Sequence, residues 1–102
     1  MFNRIISIIL FFLVTTFCCS QNKNAEYYNN LGNSKFDSSD FKGAIRDYNK
    51  AIEINPQYAD AYFNRGVVKY ILKDTNGACL DWSKAGELGH MEAYDLIKKY
   101  CK

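Results

Sequence analysis

The chain has 102 residues, 48% of them hydrophobic and 24% charged, and a formal net charge of +2 at pH 7. That length holds at most one small domain. Of the 13 Lys and Arg only Arg4 lies in the first 20 residues, and the others are interspersed with the 11 Asp and Glu, as in Lys42, Arg46, Asp47, Lys50 and Glu53, which excludes the clustered basic face of a nucleic-acid binder and reads as a solvated surface.

The first element is a leader. Arg4 forms a short basic segment, Ile5 to Phe17 is an uninterrupted apolar run but for Ser7, Thr15 and Thr16, and Cys18-Cys19-Ser20 follows before the polar stretch Gln21 to Asn24. This is the layout of a secretory signal peptide, and the run is shorter than the roughly 20 apolar residues of a membrane-spanning helix. Residues 1–20 are therefore expected to be a signal peptide and residues 21–24 a short polar linker, with the protein exported to a periplasmic or secreted location. Two processing readings stay open. Cleavage after Ser20 has small residues, Cys18 and Ser20, at the recognition positions and releases a soluble protein. Alternatively Cys18 or Cys19 is the lipidated first residue of a bacterial lipoprotein, the one route by which the chain would meet a membrane. Cys19 is the better placed because Cys18 before it is small, whereas Phe17 before Cys18 is bulky; neither context matches a Leu-Ala-Gly-Cys lipobox well.

Beyond residue 24 the sequence is written twice. A shift of 34 lays Ala25 on Ala59, Tyr28 on Tyr62, Gly32 on Gly66, Lys35 on Lys69, Asp40 on Asp74, Gly43-Ala44 on Gly77-Ala78, Asp47 on Asp81 and Lys50-Ala51 on Lys84-Ala85. Large apolar positions keep their places too: Phe36 meets Tyr70, Tyr48 meets Trp82 and Ile54 meets Leu88. A period of 34 points to stacked helix–turn–helix units, here residues 25–58 and 59–92. In the first unit Tyr28, Leu31, Gly32, Lys35 and Phe36 follow steps of three and four, which lines one face of a helix. Its second helix repeats the spacing with Phe41, Ala44, Ile45, Tyr48, Ala51 and Ile52. Asp40 and Asp74 precede the second helices and can cap their free N–H groups. Asn55-Pro56 ends the first unit. Gly32 and Gly66 fall inside helical pattern, where glycine costs about 1 kcal/mol against alanine; their recurrence implies a backbone or a bulky ring too close to admit a side chain.

After Glu92 the repeat decays, but Ala93, Leu96, Ile97, Tyr100 and Cys101 still form an apolar stripe. Residues 93–102 are read as a capping helix that covers the last repeat. Two units and a cap fall short of the three repeats usually wanted for stability, so a cross-link or a partner is expected. Cys79 and Cys101 lie at equal distances from residue 90, inside the connection between their helices, so in an antiparallel hairpin they would face one another. An oxidising compartment would keep such a bond, and closing a loop of this size is worth roughly 3 kcal/mol. The other reading is two small buried apolar residues.

These residues resemble the tetratricopeptide-repeat family, whose pattern is Trp-x2-Leu-Gly-x2-Tyr followed by Ala, Phe, Ala and Pro. Tyr28, Leu31, Gly32, Ala44, Tyr48, Ala51 and Pro56 carry the match in the first repeat, and Tyr62, Gly66, Ala78, Trp82 and Ala85 in the second. The chain departs from the pattern at Lys35 and Lys69, which stand at the Tyr position, at Arg65 in place of Leu, and at Gly89-His90 in place of the closing Pro. The resemblance implies an all-α solenoid of antiparallel helix pairs in a right-handed superhelix, with a concave groove that binds a peptide or protein segment. Its groove positions fall on Glu26, Asn29, Asn33, Phe36 and Asp37 in the first repeat, and on Asp60, Phe63, Val67, Tyr70 and Ile71 in the second. Inter-helix packing is the competing role for Phe36, Phe63 and Tyr70. Asn33 and Asn64 match two positions of the family's carboxylate clamp, but Asn29 occupies the place of its first lysine, so a clamp is not expected.

No catalytic constellation is legible. His90, the one histidine, lies in a turn without a nucleophile or metal-ligand spacing around it and reads as a solvated side chain. Neither a metal nor another cofactor is expected, since Cys79, Cys101 and His90 fall short of a four-ligand zinc set. The function expected is a non-enzymatic adaptor for a protein partner, the alternative a self-associating module whose repeats stack between copies as a homo-oligomer.

Overall fold

In the computed structural model, which describes residues 23–102, Asn24 accepts the Tyr27 N–H through Oδ1 at 2.9 Å and satisfies a donor that a helix start leaves free. Five helices follow: α1 (Ala25–Asp37), α2 (Phe41–Ile54), α3 (Ala59–Ile71), α4 (Thr75–Glu87) and α5 (Glu92–Tyr100). Among the described residues all regular structure is helical, as the periodicity predicts. The expected signal peptide (1–20), with Cys18 and Cys19, lies outside the described residues.

Turn chemistry makes the two hairpins alike. Asp40 Oδ1 accepts the Gly43 N–H at 3.0 Å and Asp74 Oδ1 accepts the Gly77 N–H at 2.9 Å, so both aspartates cap the helices they precede. Upstream, Asp40 N–H donates to the Lys35 carbonyl and Ser39 N–H to that of Phe36, while Asp74 and Lys73 repeat the pair on Lys69 and Tyr70. This is the double hydrogen bond of a Schellman stop. It places Ser39 and Lys73 at φ 61° and 72°, and Gly89 takes φ 103° in the matching turn after α4. The link from α2 to α3 is built differently: the Gln57 N–H donates to Asn55 Oδ1, and the Tyr62 hydroxyl donates to the Pro56 carbonyl.

α1 packs on α2, α3 on α4, α2 on α3, and α5 on α4. The helices meet through alanines, with Ala44, Ala51, Ala61, Ala78, Ala85 and Ala93 fully buried. Small residues let backbones approach, and two rings fill what remains: Tyr48 and Trp82, each 1% exposed. Those rings explain the helical glycines. A Cβ on Gly32 would stand 2.6 Å from Tyr48 Cε1, and one on Gly66 would stand 2.6 Å from Trp82 Nε1. α5 lays Ala93, Leu96, Ile97 and Tyr100 on the cluster formed by Ala78, Trp82 and Ala85. Cys79 and Cys101 stand at disulfide distance, with Sγ atoms 2.04 Å and Cα atoms 5.9 Å apart, which ties the end of α5 to the start of α4.

Beneath the apolar stripe runs a charged layer that repeats with the sequence. Lys35 Nζ lies 2.9 Å from Asp47 Oδ2, and Lys69 Nζ lies 3.0 Å from Asp81 Oδ2. Asp47 and Asp81 are buried, and a buried carboxylate needs a cation or donors to offset its desolvation. Thus Lys35 and Lys69 hold a paired charge at equivalent places in the two repeats. Arg65 adds a fork: Nε and Nη2 donate to the two Asp81 oxygens at 2.9 and 2.7 Å, and Nη1 donates to Asn49 Oδ1 at 2.8 Å. One side chain thereby joins α2, α3 and α4.

Two outcomes follow from this packing. Gly66→Ala gains about 1 kcal/mol of helix propensity but forces the buried Trp82 ring aside, with the Ala78 carbonyl 3.2 Å away as a second obstacle. Overpacking of this kind costs 1–3 kcal/mol. The expected net result is a lower thermal midpoint by circular dichroism, on the order of 5 °C; an unchanged or higher midpoint would show that the ring yields freely. Reduction of the Cys79–Cys101 pair, or Cys79→Ser with Cys101→Ser, is expected to lower unfolding free energy by about 3 kcal/mol, since the cross-link closes a loop of 22 residues in the unfolded chain. Equal urea midpoints with and without reductant would remove the cross-link from the account.

Candidate protein-binding groove

α1 and α3 run side by side on one face of the hairpin stack, and α2 supplies the floor between them. Asn33 and Phe36 from α1, Phe63, Asn64 and Val67 from α3, and Tyr48 from α2 surround a concavity of about 240 Å3. Phe36 rests edge-on against Phe41, ring centroids 5.7 Å apart. Phe63 and Val67 lean on the Trp82 cluster. Each of these three side chains is half-buried and lines the concavity.

Four of the ten predicted groove residues, Asn33, Phe36, Phe63 and Val67, therefore meet around one space. The others are placed differently. Asn29 is buried, and its Oδ1 accepts from Asn64 Nδ2 at 3.1 Å, so it holds α1 to α3. Tyr70 packs against Tyr100 and Trp82, with centroids 4.6 and 5.9 Å away. Asp37, Asp60 and Ile71 are exposed beyond the concavity. Glu26 lines a second depression, about 300 Å3, with Asn24, Ile54 and Tyr58 at the start of α1. A larger hollow of about 380 Å3 is lined only by Asn76, Cys79, Leu80 and Ser83 of α4; a space bordered by one helix is outer surface rather than a site between elements.

Two residues that line the concavity, Tyr48 and Asn64, and His90 beside Phe63 were not assigned to the groove by the sequence pattern. Tyr48 was read as core, and it is core, but its hydroxyl reaches the concavity and donates to Asn33 Oδ1 at 2.6 Å. Asn64 matched only a clamp that the rest of the sequence does not support. In place of the solvated turn residue expected at His90, the imidazole is stacked on Phe63, centroids 4.1 Å apart and planes 13° apart, with Nε2 3.4 Å from Asp60 Oδ1. The Asp60–Phe63 spacing is one helical turn, so both contacts lie on one face; the approach of the α4–α5 turn to that face is a tertiary event.

The hydrogen bonds fix the polar character of the site. Because Asn33 Oδ1 is occupied by Tyr48, its amide N–H groups remain as donors; because Asn64 Nδ2 is occupied by Asn29, its Oδ1 remains as an acceptor. Burial pushes the Tyr48 phenol up to about 12, and the carboxylates of Asp37 and Asp47 add to the shift. The hydroxyl is therefore a fixed donor throughout the neutral range. Among the described residues no set of three His, Cys, Asp or Glu side chains is grouped to hold a metal ion.

A family model described as TPR repeat matches residues 32–72, a segment that contains all six residues lining the concavity. No curated protein matches the chain.

The Tyr48 shift makes an alkaline prediction. An unfolded tyrosine ionises near 10, whereas the folded one holds its proton to about 12. Its contribution is fully present below pH 10 and is lost as pH rises through 12, on the order of 2–3 kcal/mol in all. In urea titrations at pH 9 and pH 12, Tyr48→Phe should be about 1 kcal/mol less stable than wild type at pH 9, having lost the bond to Asn33, yet lose less over that interval. Parallel losses in the two proteins would place the alkaline weakness elsewhere.

Proposed function

Because the chain belongs to the tetratricopeptide-repeat family, whose members are protein–protein interaction modules, we propose that it is an exported, non-enzymatic adaptor that binds a peptide or protein segment in the concavity between α1 and α3. The observation that carries this reading is the convergence of Phe36, Phe63, Val67, Asn33 and Asn64 on one space. Rings that are half-buried by their own scaffold are rigid, so docking against them costs little side-chain entropy; such aromatic anchors dominate interface energies. Between them, the free donors of Asn33 and the free acceptor of Asn64 complement the C=O and N–H of a peptide bond. The site would thus take main chain through the asparagines and an apolar side chain through the rings.

Export is supported by the leader pattern of residues 1–20 and by the Cys79–Cys101 pair, which suits an oxidising compartment. A mature mass that starts at Gln21 corresponds to the soluble form, and acyl chains on Cys19 or Cys18 to a membrane-tethered one. The full-length mass in the cell would overturn export.

The groove reading is tested with peptides selected from a random displayed library against the wild-type chain. Phe36→Ala and Phe63→Ala, each checked for retained helical circular dichroism, should weaken the selected peptides about tenfold or more, which is 1.4 kcal/mol. Peptides indifferent to both substitutions would move binding off this face. Stacking between copies, the rival reading, would make sedimentation depend on protomer concentration; a constant monomer on hundredfold dilution counts against it.

A further inference from the structure

The charges on α1 and α3 are unevenly answered. Their cations, Lys35, Arg65 and Lys69, are all held by Asp47 or Asp81. Their anions are Glu26, Asp37 and Asp60. Among the described residues Glu26 and Asp37 carry no ion pair, and Asp60 faces only His90 Nε2. The two helices therefore carry three exposed carboxylates and no available cation.

These carboxylates stand at the ends of the helices, outside the residues that line the concavity. Glu26 and Asp60 occupy the first turns of α1 and α3, and both bear on the Tyr58 hydroxyl, whose proton is held first by burial and then by these two charges. Asp37 closes α1 at the other end and bears on the Tyr48 hydroxyl in the floor. Along α1, Glu26 and Asp37 are eleven positions apart, which is about 16 Å at 1.5 Å per residue. An extended chain covers that distance in about five residues at 3.3 Å each.

We infer that the occupant of the groove is an extended basic segment, with Lys or Arg at two positions about five residues apart and an apolar side chain between them. The inference rests on the groove reading above and adds the chemical class of the partner. The apolar side chain sits over Phe36 and Phe63, Asn33 and Asn64 hold the main chain, and each terminal cation meets the carboxylates at one end. Acidic segments are turned away by the same three charges, which is the opposite of a carboxylate clamp. Charge of this kind sets specificity and encounter rate more than affinity.

The probe is an end-capped, fluorescein-labelled hexapeptide with lysine at both ends, leucine at the two central positions and serine elsewhere; its counterpart has glutamate at both ends. By fluorescence anisotropy at low salt, the lysine peptide is expected to bind the full chain at least tenfold tighter than the glutamate peptide, with the gap narrowing in 0.5 M salt. The triple variant Glu26→Gln, Asp37→Asn, Asp60→Asn, all at exposed positions, should bring the two peptides within twofold of each other. Asn64→Ala should weaken both. Equal affinities in the wild-type chain, each reduced by Asn64→Ala, would overturn the charge preference while leaving the groove reading intact. A lysine-peptide preference that survives the triple variant, or no saturable binding of the lysine peptide, overturns the inference; binding of either peptide that ignores Asn64→Ala, Phe36→Ala and Phe63→Ala overturns the groove reading itself.

Discussion

A ring pressed onto a helical glycine sets the spacing of each hairpin. Tyr48 lies over Gly32 and Trp82 over Gly66, so close that one methyl group in place of the glycine hydrogen would overlap the ring. The glycine is a poor helix former, yet it permits a contact distance that alanine forbids, and the ring then buries its whole face. Large aromatic burial is worth several kcal/mol against the roughly 1 kcal/mol that glycine costs, so the exchange favours folding. Everything farther out depends on that distance. The alanine contacts between neighbouring helices close only if the pairs are this tight, and the five short helices of the described residues have few other places to gain buried area.

The charged layer works within the same geometry and has a different character. Asp47 and Asp81 would be costly in their buried positions without Lys35, Lys69 and Arg65. Such pairs contribute modestly to net stability but penalise any register in which one partner is missing. A hairpin of nearly pure alanine contacts can slide; a buried carboxylate that must find its lysine across the turn cannot. Arg65 extends that constraint between the units, because its third nitrogen reaches Asn49 on α2. The second unit thus carries a polar lock where the first has Leu31 at the same place in the repeat.

Much of this was legible in the sequence, and the reason is the repeat. Two copies of one pattern separate structural residues from incidental ones: Gly32 and Gly66 declare a close approach because they recur, and Asp40 and Asp74 declare caps for the same reason. Reflection about a turn placed Cys79 opposite Cys101. The pairing of Lys35 with Asp47 was not legible, because their midpoint is Phe41 rather than the turn, and charged residues in a repeat read as surface until their burial is known. The groove was only partly legible. Family positions indicate which face of α1 and α3 is turned inward, and four of those residues do line one concavity; the burial of Asn29 depends on how α1 meets α3, the packing of Tyr70 on Tyr100 and the stacking of His90 on Phe63 depend on how α5 and its turn settle, and no local spacing encodes either.

Tyr48 joins stability to recognition. Its ring face is spent on Gly32 in the core, while its edge ends in a hydroxyl that fixes the Asn33 amide at the concavity. Because the ring cannot move without opening the hairpin, the asparagine it orients cannot move either, and the free donors of that amide are presented in one direction before any partner arrives. Asn64 is held in the same way by buried Asn29. Both polar contacts are thus preorganised by core residues rather than by loops, so the ordering that association demands has largely been completed by folding. A protein with so small a core gains from this economy: the residues that make the hairpins stable are the ones that aim the groove, and a change that loosens one loosens the other.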